Sequence, residues 1–266
     1  MEVRTHAVAT PPAMPVRAPL RAFAIDAVLA LLLVFGLSIA GVIAWALVQG
    51  VRLGLENGAA ADPAQIGEPQ GVALVLISLV ATASTALLLY FWRRRAGPGE
   101  RAASHAAARR PATWGWAALA GMAAFAVSAV VTTLGEQAGI APVPTNQPLI
   151  EAVGARYPVM LLLFVALLAP AYEELLFRRV LFGRLRAAGR PLLGLVLSSA
   201  LFACMHELPG LGGNTPLASA LLWTCYAVMG ALFAWVYHRT GTLWAAIGAH
   251  AVNNAIAGAL LLAGTY

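Results

Sequence analysis

Glu173 and Glu174 stand side by side in an apolar run that begins near Tyr157, and Arg178 follows Glu174 by four residues. An unpaired carboxylate is costly in hydrocarbon, so ionisable groups in such a run point first to function. Two further polar pairs interrupt apolar segments downstream, Phe202 with His206 and His250 with Asn254. Residues four apart share a helix face, so each pair acts from one side of its helix. Neighbours on a helix diverge by about 100°, so the two glutamates cannot face the same way. Glu174 and Arg178, glutamate first, make the favourable ion pair and leave Glu173 to face a pocket. A carboxylate beside a second acid in a low-dielectric site is a usable base, and with His206 it could activate water. His250 and Asn254 could then donate hydrogen bonds to the oxyanion formed when a peptide carbonyl is attacked. Taken singly, each piece also fits a plainer role: a structural ion pair, an interfacial histidine, or interhelical hydrogen-bonding glue.

The chemical reading requires the three pairs to meet, and chain geometry allows it. If the helix carrying Glu173 continues through Arg184 and turns near Gly189, Glu173 lies about 16 residues before the turn and His206 about 17 after it. At 1.5 Å per residue both sit roughly 24 Å from the turn, at one depth of an antiparallel hairpin. Pro170, just before the glutamates, removes a backbone donor and loosens the helix where water must enter. Glu207 follows His206 but opens Leu208-Pro209-Gly210, so it reads as loop. No zincin pattern starts there, because position 210 is glycine.

Composition sets the medium. Hydrophobic residues make up 61% of the chain and charged ones 11%, with a mean hydropathy of +0.79. Soluble domains carry about a quarter charged residues, and a core of this length could not bury so much apolar surface. The expected fold is an all-α, polytopic transmembrane helix bundle of about seven to eight spans. Seven candidates are 27–50, 71–92, 112–134, 157 to about 182, 191–206, 217–237 and 242–266, each near the roughly 20 residues a span needs. An eighth would require a broken helix in the first span with its flanks, or in the 135–156 connection. The expected organisation is a proline-rich disordered cytoplasmic tail over 1–20, N-terminal transmembrane helices over 21–154 and a catalytic transmembrane core over 155–266. The net charge of +6 would suggest nucleic acid in a soluble protein. Here every basic residue is arginine, and most sit in short loops, so no nucleic-acid partner is expected. With the N-terminus in the cytoplasm, only Arg52 and Arg156 fall outside, as the positive-inside rule prefers. Cys204 and Cys225 lie in apolar segments and read as small buried hydrophobes. The absence of a Walker motif, a dinucleotide fingerprint or an internal repeat argues against ATP-driven transport by this chain alone.

At these residues the chain resembles the CPBP intramembrane protease family, also called Abi or CAAX-protease-like, which includes the type II CAAX prenyl endopeptidases. Its first motif, two glutamates, three residues and arginine, matches Glu173-Glu174-Leu175-Leu176-Phe177-Arg178. The second matches Phe202-Ala203-Cys204-Met205-His206 and the third His250-Ala251-Val252-Asn253-Asn254. The resemblance covers roughly 155–264 and implies peptide hydrolysis in a membrane cavity. Glu173 would be the base, His206 its partner, and His250 with Asn254 the oxyanion stabilisers, with Glu174, Arg178 and Phe202 supporting. No cofactor is favoured. Zinc is the alternative, held by Glu173, His206 and His250 with one position open. The expected substrate is a peptide or protein, with a lipidated C-terminus as one option, and the expected location is a bacterial cytoplasmic (inner) membrane. Two competing readings are a non-catalytic immunity or regulatory membrane protein and a proton-coupled transporter using Glu173.

Overall fold

Proline marks where the helices begin. In the computed structural model, which describes residues 17–58, 62–208, 210 and 213–264, five helices open on Pro98, Pro111, Pro158, Pro191 and Pro216. At that first position the missing N–H would have had no partner in any case, and the fixed φ suits a helix. The architecture is all α: α1 (Arg17–Asn57), α2 (Val72–Arg93), α3 (Pro98–Ala108), α4 (Pro111–Gln137) and α5 (Gln147–Arg156) come first. A long interrupted helix, α6 (Pro158–Ala187), follows, then α7 (Pro191–His206), α8 (Pro216–Thr240) and α9 (Leu243–Leu262). Six of these are long and apolar enough to cross a membrane, and α7 is a shorter apolar helix of 16 residues. The chain is an integral membrane protein with a polytopic helix bundle.

The expected spans fall on α1, α2, α4, α6, α7, α8 and α9, with ends shifted by a few residues. The eighth span does not form among the described residues: the 135–156 connection holds only α5, 10 residues long and too short to cross hydrocarbon. Residues 1–16 of the expected tail lie outside the described residues, and residues 17–20 already belong to α1. Cys225 is buried as expected, but Cys204 is exposed, because it sits opposite the buried Phe202–Ala203 face of α7.

The core gathers on α6. Phe177, Leu181, Phe182 and Leu185 pack with Phe202 of α7, Phe233 of α8 and Ala249 of α9. The strongest packing pairs are α7 with α8, α9 with α4 and with α6, α1 with α2, and α8 with α4. Small residues let these helices approach closely, as expected where lipid supplies no hydrophobic drive. A methyl on Gly230 of α8 would press on the Ser199 backbone of α7 at 3.0 Å. One on Gly121 of α4 would fall on the Ala249 carbonyl of α9. Gly241, at φ 75°, makes the left-handed cap that turns α8 back into α9.

At one end of the bundle, buried Asp26 of α1 grips two arginines. Its carboxylate takes Arg93 of α2 at 2.7 Å and Arg184 of α6 at 2.5 Å. Alongside, Arg179 of α6 forks onto Glu100 of α3 at 2.7 and 3.1 Å. The Arg179 fork holds the Glu100 carboxyl at about 2, well below the usual range. Arg94 donates to the Gly183 carbonyl at 3.1 Å, and burial, with Arg179 and Arg184 nearby, pulls its guanidinium down. Arg93, Arg94, Arg179 and Arg184, four of the arginines assigned from sequence to one side of the membrane, thus meet at one end of the fold, whereas Arg178 of the same stretch turns into the core.

Candidate active site

The helix that carries the glutamates is not uniform. Two π-helical stretches, Phe164–Leu168 and Leu175–Phe182, flank the short α-helical segment Ala169–Glu174. Such π turns are rare, and they frequently occur at functional sites. Glu174, between them, and Arg178, within the second, are fully buried, whereas the Glu173 side chain keeps 15% exposure. The two glutamates diverge as helix geometry requires.

Glu174 is enclosed by partners. One oxygen lies 2.8 Å from Arg178 Nε, and the other accepts from His250 Nδ1 at 2.9 Å. Arg178 is walled by aromatic rings, its guanidinium carbon 4.7 Å from the Phe202 centroid, 5.5 Å from Phe233 and 5.7 Å from Phe177. Cation–π attraction gains strength in such a desolvated setting and stands in for water around the buried charge. Phe202 serves three neighbours at once, since its ring also lies 4.1 Å from the His206 ring and 5.9 Å from His250. Phe233 stacks on His250 at 4.7 Å.

Both histidines are oriented by their far nitrogens. His206 Nδ1 donates to the Phe202 carbonyl at 2.9 Å, and His250 Nδ1 donates to Glu174. A carbonyl or carboxylate can only accept, so each ring presents Nε2 inward. The two Nε2 atoms face one oxygen, Glu173 Oε2, at 3.5 Å from His206 and 3.9 Å from His250. Spacings this long leave neither contact a tight hydrogen bond.

Asn254 is placed differently from the other predicted residues. Its Nδ2 donates to the Val165 carbonyl at 2.7 Å, while its Oδ1 accepts from Asn253 Nδ2 at 2.8 Å. Its contacts therefore run to the first π turn, beside the glutamate pair. Glu173, His206 and His250 are also the three donors zinc would use, but zinc needs them converging on one point at about 2.0–2.2 Å. Among the described residues no group of three His, Cys, Asp or Glu side chains is arranged to hold a metal ion.

Sequence reading missed Glu207. It is 1% exposed and clasps the chain beyond the site: Oε2 accepts from Thr145 N at 3.2 Å and Thr145 Oγ1 at 2.9 Å, and Oε1 from Asn214 Nδ2 at 3.2 Å. Trp223 Nε1 donates to its carbonyl at 2.7 Å, closing the end of the helix that bears His206. An acid directly after a motif histidine was the available signal.

The comparisons bear on this region. Residues 155–256 match the family described as type II CAAX prenyl endopeptidase Rce1-like. This segment contains every residue of the Glu–His–His constellation. Over residues 155–256 the chain is similar to the CAAX-protease-like family. A membrane peptidase candidate of Bacillus subtilis (strain 168), YdiL, is 30% identical over 109 residues, covering 41% of this chain. The chain spans 39% of that relative's length. No solved structure matches the chain. Within the matched segment lie α6 to α9 up to residue 256; α1 to α5, save the last residues of α5, precede it.

Proposed function

We propose that this chain is an intramembrane endopeptidase in which Glu173 activates water for attack on a peptide carbonyl. The observation that carries the reading is the aim of two oriented imidazole Nε2 atoms at one buried Glu173 oxygen, Oε2, at 3.5 and 3.9 Å, on a side chain that keeps 15% exposure. A water at Glu173 would give its proton to the carboxylate as its oxygen bonds to the substrate carbonyl carbon. Two carboxylates and one guanidinium leave this buried site one negative charge in excess, and one imidazolium balances it. Its Nε2–H can then donate to the oxyanion, with His250 and His206 as the two candidates, whereas Asn254, the further donor expected from sequence, is engaged with the Val165 carbonyl. As the intermediate collapses, the C–N bond breaks and Glu173 returns the proton to the departing nitrogen. Glu174, Arg178 and Phe202 hold the rings in place. We favour this route without metal, since the third motif supplies the amide of Asn254, a group suited to hydrogen bonding and outside the usual zinc ligands.

The description of the matched family suggests the finer reading, processing of a lipidated C-terminal peptide of CAAX type. The test is cleavage by the purified full chain in liposomes, with C-terminally prenylated peptides beside unmodified ones of the same sequence. Cleavage of the prenylated set alone supports CAAX-type processing, and cleavage of both supports a general membrane peptidase. Silence of the folded protein toward a broad panel contradicts the enzymatic reading.

A further inference from the structure

Pro170 and Asn254 have a relation that neither motif spacing nor family resemblance supplies. In the first π turn the Ala169 amide donates five residues back, to the Phe164 carbonyl. The next carbonyl, Val165, would in the same register take its hydrogen from residue 170, but residue 170 is proline and has none. The Ala169 amide that would serve Val165 in an ordinary α register is already committed to Phe164. A backbone carbonyl left unpaired in a membrane bundle is costly, so freed groups are met by side chains of neighbouring helices. Asn254 Nδ2 donates to that carbonyl at 2.7 Å. The amide is held from its other end by Asn253, which fixes which atom points at Val165. The approach is built into α9: a methyl on Gly258, one turn further, would lie 3.0 Å from Leu162 and 3.8 Å from Val165 side-chain atoms.

We infer that Asn254 is a positioning residue whose side-chain amide replaces the backbone hydrogen Pro170 lacks, and so fixes the π turn that carries Glu173 to His206 and His250. This rests on the peptidase reading only for its effect on turnover. Losing the donor frees Val165, lets the segment relax toward another register and moves Glu173, three residues past Pro170. A displacement near 1 Å of a reacting group costs about 100-fold in rate. Asn254→Ala is therefore expected to lower kcat by roughly 10- to 100-fold while KM changes little.

The deciding experiment is a cycle of Asn254→Ala with Pro170→Ala in the full chain, read by hydrogen exchange over 169–175 and by peptide turnover. Alanine at 170 lets the backbone satisfy Val165 in either register, so Asn254 becomes redundant there. Asn254→Ala is expected to speed exchange at 169–175 about tenfold or more alone, and to add little in the Pro170→Ala background. Equal effects of Asn254→Ala in both backgrounds overturn the inference and favour a direct oxyanion contact. Should Asn254→Ala not fold, Asn254→Leu, which keeps the volume but lacks the donor, is measured in the same cycle. If the wild type cleaves nothing yet the exchange effects couple, the positioning role stands and the peptidase reading fails.

Discussion

On the proposed reading, residue identity at the site separates one working carboxylate, Glu173, from one structural one, Glu174. Glu173→Gln keeps size but loses the base, so cleavage should fall about 100- to 10,000-fold with little change in unfolding temperature. Glu174 and Arg178 behave oppositely. Arg178→Ala strands a buried carboxylate and should destabilise by about 3–5 kcal/mol, whereas replacing both partners with Gln and Met should cost much less. Chemical unfolding in mixed micelles of the two variants, set beside wild type, checks that contrast. Much of this was legible in sequence, because helix spacing alone fixes that Glu173 and Glu174 diverge and that Arg178 reaches back to Glu174. The partner of Asn254 was not legible. It depends on a π register that spacing does not encode, and on a proline four residues earlier than the nearest motif residue but one.

The elements confirm that apolar runs locate spans and that polar punctuation locates ends. The interruption of α6 could not be read this way, since the same apolar residues suit α and π turns, and only neighbouring helices choose between them. The placement of Cys204 failed for a related reason: apolar character in a membrane helix does not distinguish the core from the lipid face. Close helix contact makes its own prediction. Gly230→Leu should push α8 off Ser199 of α7, lower the unfolding temperature and impair cleavage by moving the His206 helix, as thermal unfolding and turnover together would report. The tie between α3 and α6 carries a pH signature. Glu100 is held at about 2 against an ordinary 4.5, so its contribution is full above pH 4.5 and is lost as pH falls toward 2. The difference in unfolding temperature between wild type and Glu100→Gln should thus be largest above pH 4.5 and shrink across that window.

Over the whole molecule, the arginine-rich end organises the helices that precede the family segment around those within it. Asp26 joins α1, α2 and α6, and Glu100 joins α3 to α6, so the N-terminal helices are tied to the helix bearing Glu173. Asp26 was the visible signal, an acid among arginines at the edge of the first span, but its partners lie 67 and 158 residues away. Asp26→Ala should cost about 1–3 kcal/mol, having left two guanidinium groups without their acceptor. The orientation expected from the positive-inside rule would put this end in the cytoplasm. A cysteine at position 97 should be shielded from an impermeant thiol reagent in intact cells and one at position 68 labelled, in a Cys204→Ala, Cys225→Ala background. The central claim is tested most directly by peptide cleavage with purified wild type and Glu173→Ala in liposomes, each with and without a strong chelator. The account predicts cleavage by wild type that survives chelation and vanishes in Glu173→Ala. Cleavage abolished by the chelator and restored by zinc, or cleavage undiminished in Glu173→Ala, would contradict it.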